Sequence, residues 1–462
     1  MLFSWIPERA SDEPLYKQLA GHIAEMIGTG YFANGDKLPG QRVMADRLGL
    51  GRNTVIRALE ELAKTGIISA SPKSGVYIIS RSAETAPDWD AYFRRANYRP
   101  GPDDYRMWRD KGDLRDLVLS REFDMLAYFK DAIAAAVTRA DDITVMDAHG
   151  LPPLREAVVR HMKTSCGLDT TVDNVIICPS LDQSIYTLCA ALMTGGGSLV
   201  HERATLINTV SNIHSLGLNM LPVGQDRFGM IPEELDKTLH GRSHAVMFTD
   251  PIAHSPTGIT TTKRRQRELM KIISKYRLPV IENGHKRDLW CGKPFPPPMK
   301  SLPGSENIIY LGSLLKASMR LGVSWVVADR PFVEQLSTVL VQFSTIPSGL
   351  AQVLMDEMFR SGRYYEMMED AWEFVHRRRV LALQLCERYL KDLARWDEKR
   401  CCFHFWIELN ARLNKDKIYD APNFFPGYFF DKSDSTHVLL TPPSLPEAAL
   451  EATVKSIARL AR

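Results

Sequence analysis

The sequence predicts an α/β protein built in parts: a small N-terminal unit of three helices and a β-ribbon, a large domain with a mostly parallel sheet, and a smaller α+β subdomain at the end. Three observations predict it. Apolar residues recur at helical spacing through the first 80 residues, with Gly-containing breaks between the runs. Short apolar β runs then alternate with helical patterns between 174 and 329. Beyond them come a long amphipathic run over 363–395, a strand-like CFHFWIEL and a closing helix, PEAALEATVKSIARLAR.

The elements follow in order. Leu15, Leu19, Ile23 and Met26 mark a first helix that stops at Gly28 and Gly30. A loop, YFANGDKLPGQ, leads to a second helix from about Gln41 to Leu48, then Gly49, then a third helix beginning near Asn53. Two short helices joined by a Gly-containing turn are the helix-turn-helix signature. GIISASPKSGVYI reads as two strands around a turn, the wing of a winged helix, with Val76 and Ile78 alternating with Tyr77 and Ile79. Residues 1–80 form this domain. Residues 81–113, rich in Pro, Asp, Arg and aromatics without periodicity, read as a linker with docking side chains. Residues 114–462 form the large domain, with the small subdomain from about 345. Its strand runs are NVIIC, SLVHE, AVMFTD, PVIEN, NIIYLG and VSWVVAD, separated by helices such as DQSIYTLCAALM and KRRQRELMKIISKYR.

At about 150 residues per domain, 462 residues give roughly three domains. With 45% hydrophobic and 24% charged residues, a disordered, collagen-like or disulfide-stapled chain is excluded. No apolar run reaches the roughly 18 residues of a membrane helix, and the N-terminus turns polar before a signal-peptide core. The seven cysteines show no zinc spacing and no disulfide framework, which points to a reducing, cytoplasmic location. The 58 basic and 55 acidic residues leave only +3, so any nucleic-acid surface must be local.

Such a surface exists. Lys37, Arg42, Arg47, Arg52 and Arg57 face one acidic residue, Asp46, in the same stretch, which carries +4 while the remaining chain sums to −1. Arg52, Asn53 and Thr54 open the third helix, where side chains and free backbone N–H groups reach base edges and phosphates. Lys73 lies in the wing turn. The predicted contacts to double-stranded DNA are therefore Lys37, Arg42, Arg52, Asn53, Thr54, Arg57 and Lys73. GDKLPGQRVMADRLGLGRNTVIRALEELAKTGIISASPKSGVYI resembles the winged-helix DNA-binding domain of the GntR family of bacterial regulators. Gly40 stands where that family usually has a capping Ser, at a cost of a few tenths of a kcal/mol.

The landmarks of residues 114–462 resemble the fold type I aminotransferases, which use pyridoxal phosphate (PLP). DAHGLPPLREAVVRHM carries a Gly150, Leu154 and Arg155 like theirs, HSPTG looks like their Asn-Pro-x-Gly turn, and LGSLLKASMRLGVSWVV looks like their lysine motif. The resemblance implies that Lys316 forms a Schiff base with the cofactor. It also implies that Ser313 and Arg320 bind its phosphate, and that the ends of VIENGH and HSPTG border its ring. The departures are specific. Asn283 stands for the acidic partner of the ring nitrogen; an amide hydrogen-bonds that nitrogen but cannot hold it protonated by charge. His285 stands for a Tyr, Ser255 for an Asn, Leu206 for a stacking Tyr, and Leu439 for the Arg that grips a substrate carboxylate. SLDQS puts Asp182 where a phosphate disfavours negative charge, and Arg320 lies closer to Lys316 than is usual. The implied cofactor residues are Lys316, Ser313, Asn283, His285, Ser255 and Arg320; no catalytic or metal residue is assigned.

A GntR head on such a body is the layout of the MocR subfamily. The resemblance implies a homodimeric transcription regulator that binds operator DNA and senses a small-molecule effector, PLP or a PLP adduct, with little or no transaminase turnover. Two alternatives stay open: an aminotransferase with a regulatory head, or a regulator whose large domain has lost PLP and only dimerises or binds another ligand. His254 reads as structural, MMEDAW as helix packing, and Arg377, Arg378 and Arg379 as a solvated helix face or an interdomain contact.

Overall fold

The computed structural model describes residues 2, 5–8, 11, 13–29, 31–71, 75–79, 119–139, 147–193, 195–205, 213, 215–289, 296–313, 321–413 and 423–462. The chain divides into two compact units, residues 1–99 and 100–462.

The first unit packs helices α1 (Leu15–Gly28), α2 (Gln41–Leu48) and α3 (Arg52–Lys64) against a hairpin of β1 (Ile68–Ser71) and β2 (Gly75–Ile78). Leu19, Ile23, Met44, Val55, Ala58 and Ile78 are all but sealed, so one face of each element makes a single core. Gly49 ends α2 in the left-handed region at φ 63°, which turns the chain sharply into α3. The wing gains a third run from the α1–α2 loop: Leu38 N–H donates to Val76 O and Gly35 N–H to Ile78 O, each at 2.9 Å.

The second unit is built on a seven-stranded sheet in the order β3-β11-β10-β9-β8-β4-β5. These strands are β3 (Val175–Cys178), β4 (Ser198–Glu202), β5 (Asn219–Val223), β8 (Ala245–Thr249), β9 (Val280–Asn283), β10 (Ile308–Ser313) and β11 (Ser324–Val327). A small hairpin, β6 (Gln225–Asp226) with β7 (Gly229–Met230), follows β5. Only β11 runs against its neighbours, so the carboxyl ends of β3, β4, β8, β9 and β10 share one edge. In open α/β sheets that edge is where ligands bind.

Helices cover both faces. Helices α4 (Leu126–Val137), α5 (Pro152–Cys166) and α10 (Gly349–Arg360) share a core with Ile177, Tyr310 and Trp325. Across the sheet, α6 (Leu181–Leu192) and α9 (Arg330–Gln342) pack on Ile176, Ile281, Leu311 and Val326, while α7 (Pro232–Leu239) and α8 (Lys263–Tyr276) pack on Met247 and Val280. The strands bury both faces, as their unbroken Val and Ile runs require.

A second, four-stranded antiparallel sheet has the order β12 (Ala394–Arg395), β13 (Phe405–Leu409), β15 (His437–Leu440), β14 (Phe425–Pro426). It shares a core with the end of α11 (Arg363–Leu390) and with α12 (Glu447–Leu460). The expected helix over 363–395 stops at Leu390. Its apolar spacing continues through Leu393 and Ala394, but Ala394 pairs with Leu409 instead, so strand pairing overrides the local pattern. Arg378 also departs from a solvated face: it is 5% exposed and bonds Glu122 and Glu447. The Met-rich turn packs as expected, with Met367 and Met368 buried. Cys166, Cys178, Cys189, Cys386 and Cys401 are free thiols, and Cys402 is disulfide-bonded. No helix of the described residues is long and apolar enough to cross a membrane.

Candidate functional site

Two groups of residues carry chemistry, one in each unit. In the first, the turn Gly49–Leu50–Gly51 sets the start of α3 with no acidic residue in its first turn. Arg52, Asn53 and Arg57 are exposed there and Thr54 is half-buried, while Val55, Ala58 and Leu59 fix the opposite face in the core. Arg42 is exposed on α2. Lys37 crosses the base of the wing with its Nζ 5.6 Å from the centroid of the Tyr77 ring. Its stem lies over Gly75, whose φ of 109° favours glycine; a Cβ there would fall 2.6 Å from Lys37 Cε and push the stem aside. Free helix N-terminal N–H groups, a positive dipole end and exposed guanidinium groups together make a surface for phosphates and base edges. Lys73 lies outside the described residues.

In the second unit the residues gather at the carboxyl edge of the sheet. Asn283 ends β9, opposite Leu311 in the register of β10, and is 1% exposed. Its Oδ1 accepts from His285 twice, from the backbone N–H at 3.4 Å and from ring Nδ1 at 2.9 Å. Strand alternation sends the neighbouring carboxylate the other way. Glu282 accepts from the Met299 and Lys300 N–H groups at 2.7 and 2.9 Å, and burial lifts its pKa against those bonds. Gly284 has no side chain because the Tyr310 hydroxyl would lie 2.2 Å from a Cβ there.

Ser255 lies beside a sealed ion pair. Its N–H donates to Asp250 Oδ2 at 3.1 Å, and the same oxygen accepts from Lys286 Nζ at 2.7 Å. Asp250 and Lys286 are each 2% exposed. Close by, Thr249 Oγ1 donates to Glu202 at 2.5 Å, and His254 Nε2 stands 3.9 Å from the other Glu202 oxygen. Burial raises the Glu202 carboxyl to about 7 and lowers His254 to about 3. His254 is thus a neutral ring, tied through Nδ1 to Thr257 Oγ1 at 2.8 Å.

Ser313, also buried, ends β10 and pairs in register with Ser324 of β11. Leu439 faces Trp406 across β13 and is fully buried among Phe405, Phe425 and Phe430, so an apolar side chain fills that strand position. Asp182 lies in the first turn of α6. Lys316, Arg320 and Leu206 lie outside the described residues. Among the described residues, the sheet edge therefore brings together Asn283 with His285, and Ser255 with Asp250 and Lys286.

Sequence reasoning missed Asp250, Lys286 and the Glu202–His254 approach. Their only signal is a charged residue directly after or near an apolar strand run, and nothing in the spacing says that residues 36 positions apart lie side by side. A cavity of about 460 Å³ also opens between the small sheet and the large domain, bordered by Arg203, Thr257, Arg400, His404 and Trp406.

Comparison with known proteins gives the same division. Residues 15–78 match the model of bacterial regulatory proteins of the gntR family, and residues 127–457 match that of aminotransferase class I and II. The HTH-type transcriptional regulator YdfD of Bacillus subtilis (strain 168) is 29% identical over 88% of this chain and 86% of its own. The HTH-type transcriptional regulator YisV of the same strain is 24% identical over 100% of this chain and 99% of its own. Among solved structures, LysN, an α-aminoadipate aminotransferase of Thermus thermophilus complexed with N-(5'-phosphopyridoxyl)-L-leucine, superposes with a TM-score of 0.71 at 19% identity, covering 81% of this chain and 98% of that one. The chain belongs to the aminotransferase class I and II family and carries a gntR-family winged helix at its N-terminal end, the layout of the MocR-type regulators.

Proposed function

We propose that this protein is a transcription regulator whose winged helix binds operator DNA and whose aminotransferase-like domain senses a small-molecule effector, pyridoxal phosphate or an adduct of it, with little or no transaminase turnover. The names of YdfD and YisV support the first half, and the bound phosphopyridoxyl amino acid of LysN supports the second. One observation carries the distinction between sensor and enzyme. Two positions that would supply the ring's acidic partner and the grip on a substrate carboxylate hold an amide and a buried aliphatic side chain, Asn283 and Leu439.

When bound, the cofactor supplies a carbonyl that captures amines and a ring that withdraws electrons. Lys316 and Ser313 would hold it, with Arg320, Ser255, Asn283 and His285 around it. The residues present fit the group at one tested point: Asn283 Nδ2 is a sealed donor with no acceptor among the described residues. Asn283 carries no charge to keep the ring protonated, and Leu439 offers no cation to a substrate carboxylate, so the site favours holding the group over turning it over. The functional unit is a homodimer, which matches an operator with two half-sites. Effector binding biases two arrangements of head and body by its differential affinity for them.

The test is an absorbance titration of the purified protein with PLP. A visible band of lysine-bound cofactor that vanishes in Lys316→Ala, together with operator affinity that shifts on PLP addition, supports the reading. No band at saturating PLP overturns its cofactor half, and measurable transamination of any amino acid restores the enzyme.

A further inference from the structure

The amide of Asn283 has a fixed direction. The backbone N–H of His285 can only donate, so the atom it meets at 3.4 Å must be the carbonyl oxygen of the Asn283 side chain. The ring Nδ1 of His285, 2.9 Å from the same oxygen, is then its protonated nitrogen. Both bonds turn the NH2 group of Asn283 away from His285. That group is buried, on a residue 1% exposed, and has no acceptor among the described residues. A buried donor left unmatched carries the full cost of its desolvation. Reversing the amide would oppose its NH2 to the backbone N–H of His285 and leave the carbonyl oxygen unmatched in place of the donor, so a flip does not relieve the orphan.

A donor fixed at the carboxyl edge of β9 calls for an acceptor from a ligand. On the reading that this edge holds pyridoxal phosphate, on which the inference rests, the group facing Asn283 is the ring nitrogen. A protonated pyridinium would oppose N–H to N–H. An unprotonated pyridine offers one lone pair to the single unmatched donor. We infer that Asn283 donates a hydrogen bond to an unprotonated pyridine nitrogen and so holds the cofactor in its neutral-ring form. A neutral ring withdraws electrons weakly, so the polarity of one amide makes the site a holder of the cofactor rather than a catalyst. Asn283 is in these terms a residue that sets the protonation state of its ligand.

The experiment is nitrogen-15 NMR of the full-length protein loaded with PLP labelled at the ring nitrogen, with the visible band as the check on loading. The wild-type signal is expected at the unprotonated pyridine position, and in Asn283→Asp it is expected to move to the pyridinium position. Asn283→Leu, which keeps the site sealed and removes the donor, is expected to weaken PLP binding about tenfold, the equivalent of one net hydrogen bond. A wild-type signal at the pyridinium position overturns the inference while leaving cofactor binding intact. A protein that shows no bound-cofactor band or signal overturns the cofactor reading, and the inference falls with it.

Discussion

Arg52, Asn53 and Arg57 are exposed side chains on two turns of one helix, contributed by six consecutive positions. Asp250, Asn283, His285 and Lys286 are nearly sealed side chains brought together from two strand ends. The first group can act without reorganising anything beneath it, because Val55, Ala58 and Leu59 hold the helix from the other side. Charge there is solvated, and changing it alters binding more than stability. The second group sits in low dielectric, where an unpaired charge is costly and every substitution is first a change in stability. Function in the head is therefore separable from folding. In the body the two are coupled.

The largest expected effect tests that coupling. Lys286→Met leaves Asp250 buried without its cation, and should lower the stability of the body by about 3–5 kcal/mol in urea unfolding. Adding Asp250→Leu should restore part of the loss, because the second change removes the stranded charge. A single-variant loss below about 1 kcal/mol would place the pair in solvent-like surroundings and break the contrast.

Glu202 gives the next effect, and its sign follows from burial. With its carboxyl raised from 4.5 to about 7, the folded body keeps a proton that the unfolded chain has lost. The group's contribution is complete below pH 4.5, declines as the pH rises, and is gone above pH 7, a span of about 3 kcal/mol. His254, lowered from 6.5 to about 3, acts in the opposite sense: its contribution is complete above pH 6.5 and is lost as the pH falls toward 3. The two slopes offset each other between them in the wild type. Glu202→Gln removes only the first, so its stability relative to wild type should rise by about 3 kcal/mol between about pH 4.5 and about pH 7.5 in paired urea titrations. A constant offset at both pH values would mean that Glu202 titrates as an ordinary surface carboxylate.

The same contrast explains what could be seen in the sequence. Helix α2 runs over Gln41–Leu48 as expected, because Gly40 and Gly49 bracket it and its apolar residues keep the 3.6 period. The strand ends of the body were legible because apolar β runs break off near polar residues, whereas Asn283 and His285 were singled out by the resemblance to the aminotransferase motifs and not by any local pattern. The edge strand β5 was not, because Pro222 lies inside it and only one neighbour pairs with it. The stop of α11 at Leu390 was hidden for a related reason: Ala394 has a partner strand that no local pattern announces. The Lys286–Asp250 pair depends on β8 and β9 lying parallel and adjacent, and Arg378 is buried because Glu122 and Glu447 converge on it from distant segments. Local chemistry can be read along the chain, whereas chemistry assembled by topology cannot.

In the head, Arg52→Ala should weaken operator binding by about 1–3 kcal/mol, concentrated at one base position, while leaving the melting temperature unchanged. Mobility-shift titrations against operators substituted one base pair at a time measure both parts. Unchanged affinity would remove Arg52 from the interface, and a uniform loss across all operators would make it a phosphate contact.

The smallest effect is also the one that separates charge from packing within the head. Lys37 has two roles available: its stem fills the space that Gly75 leaves open, and its ammonium lies exposed beside Tyr77 at the base of the wing. If the ammonium meets a phosphate, Lys37→Met should keep the packing and lose the contact. Affinity then falls about equally for operator and unrelated DNA, and the slope of log K against log salt shrinks by about one. If the stem alone matters, Lys37→Met binds like wild type, and only Lys37→Ala, which empties the space over Gly75, lowers affinity by loosening the wing. Salt-dependent titrations of both variants distinguish these outcomes, because packing carries no counterions and leaves the slope where it was.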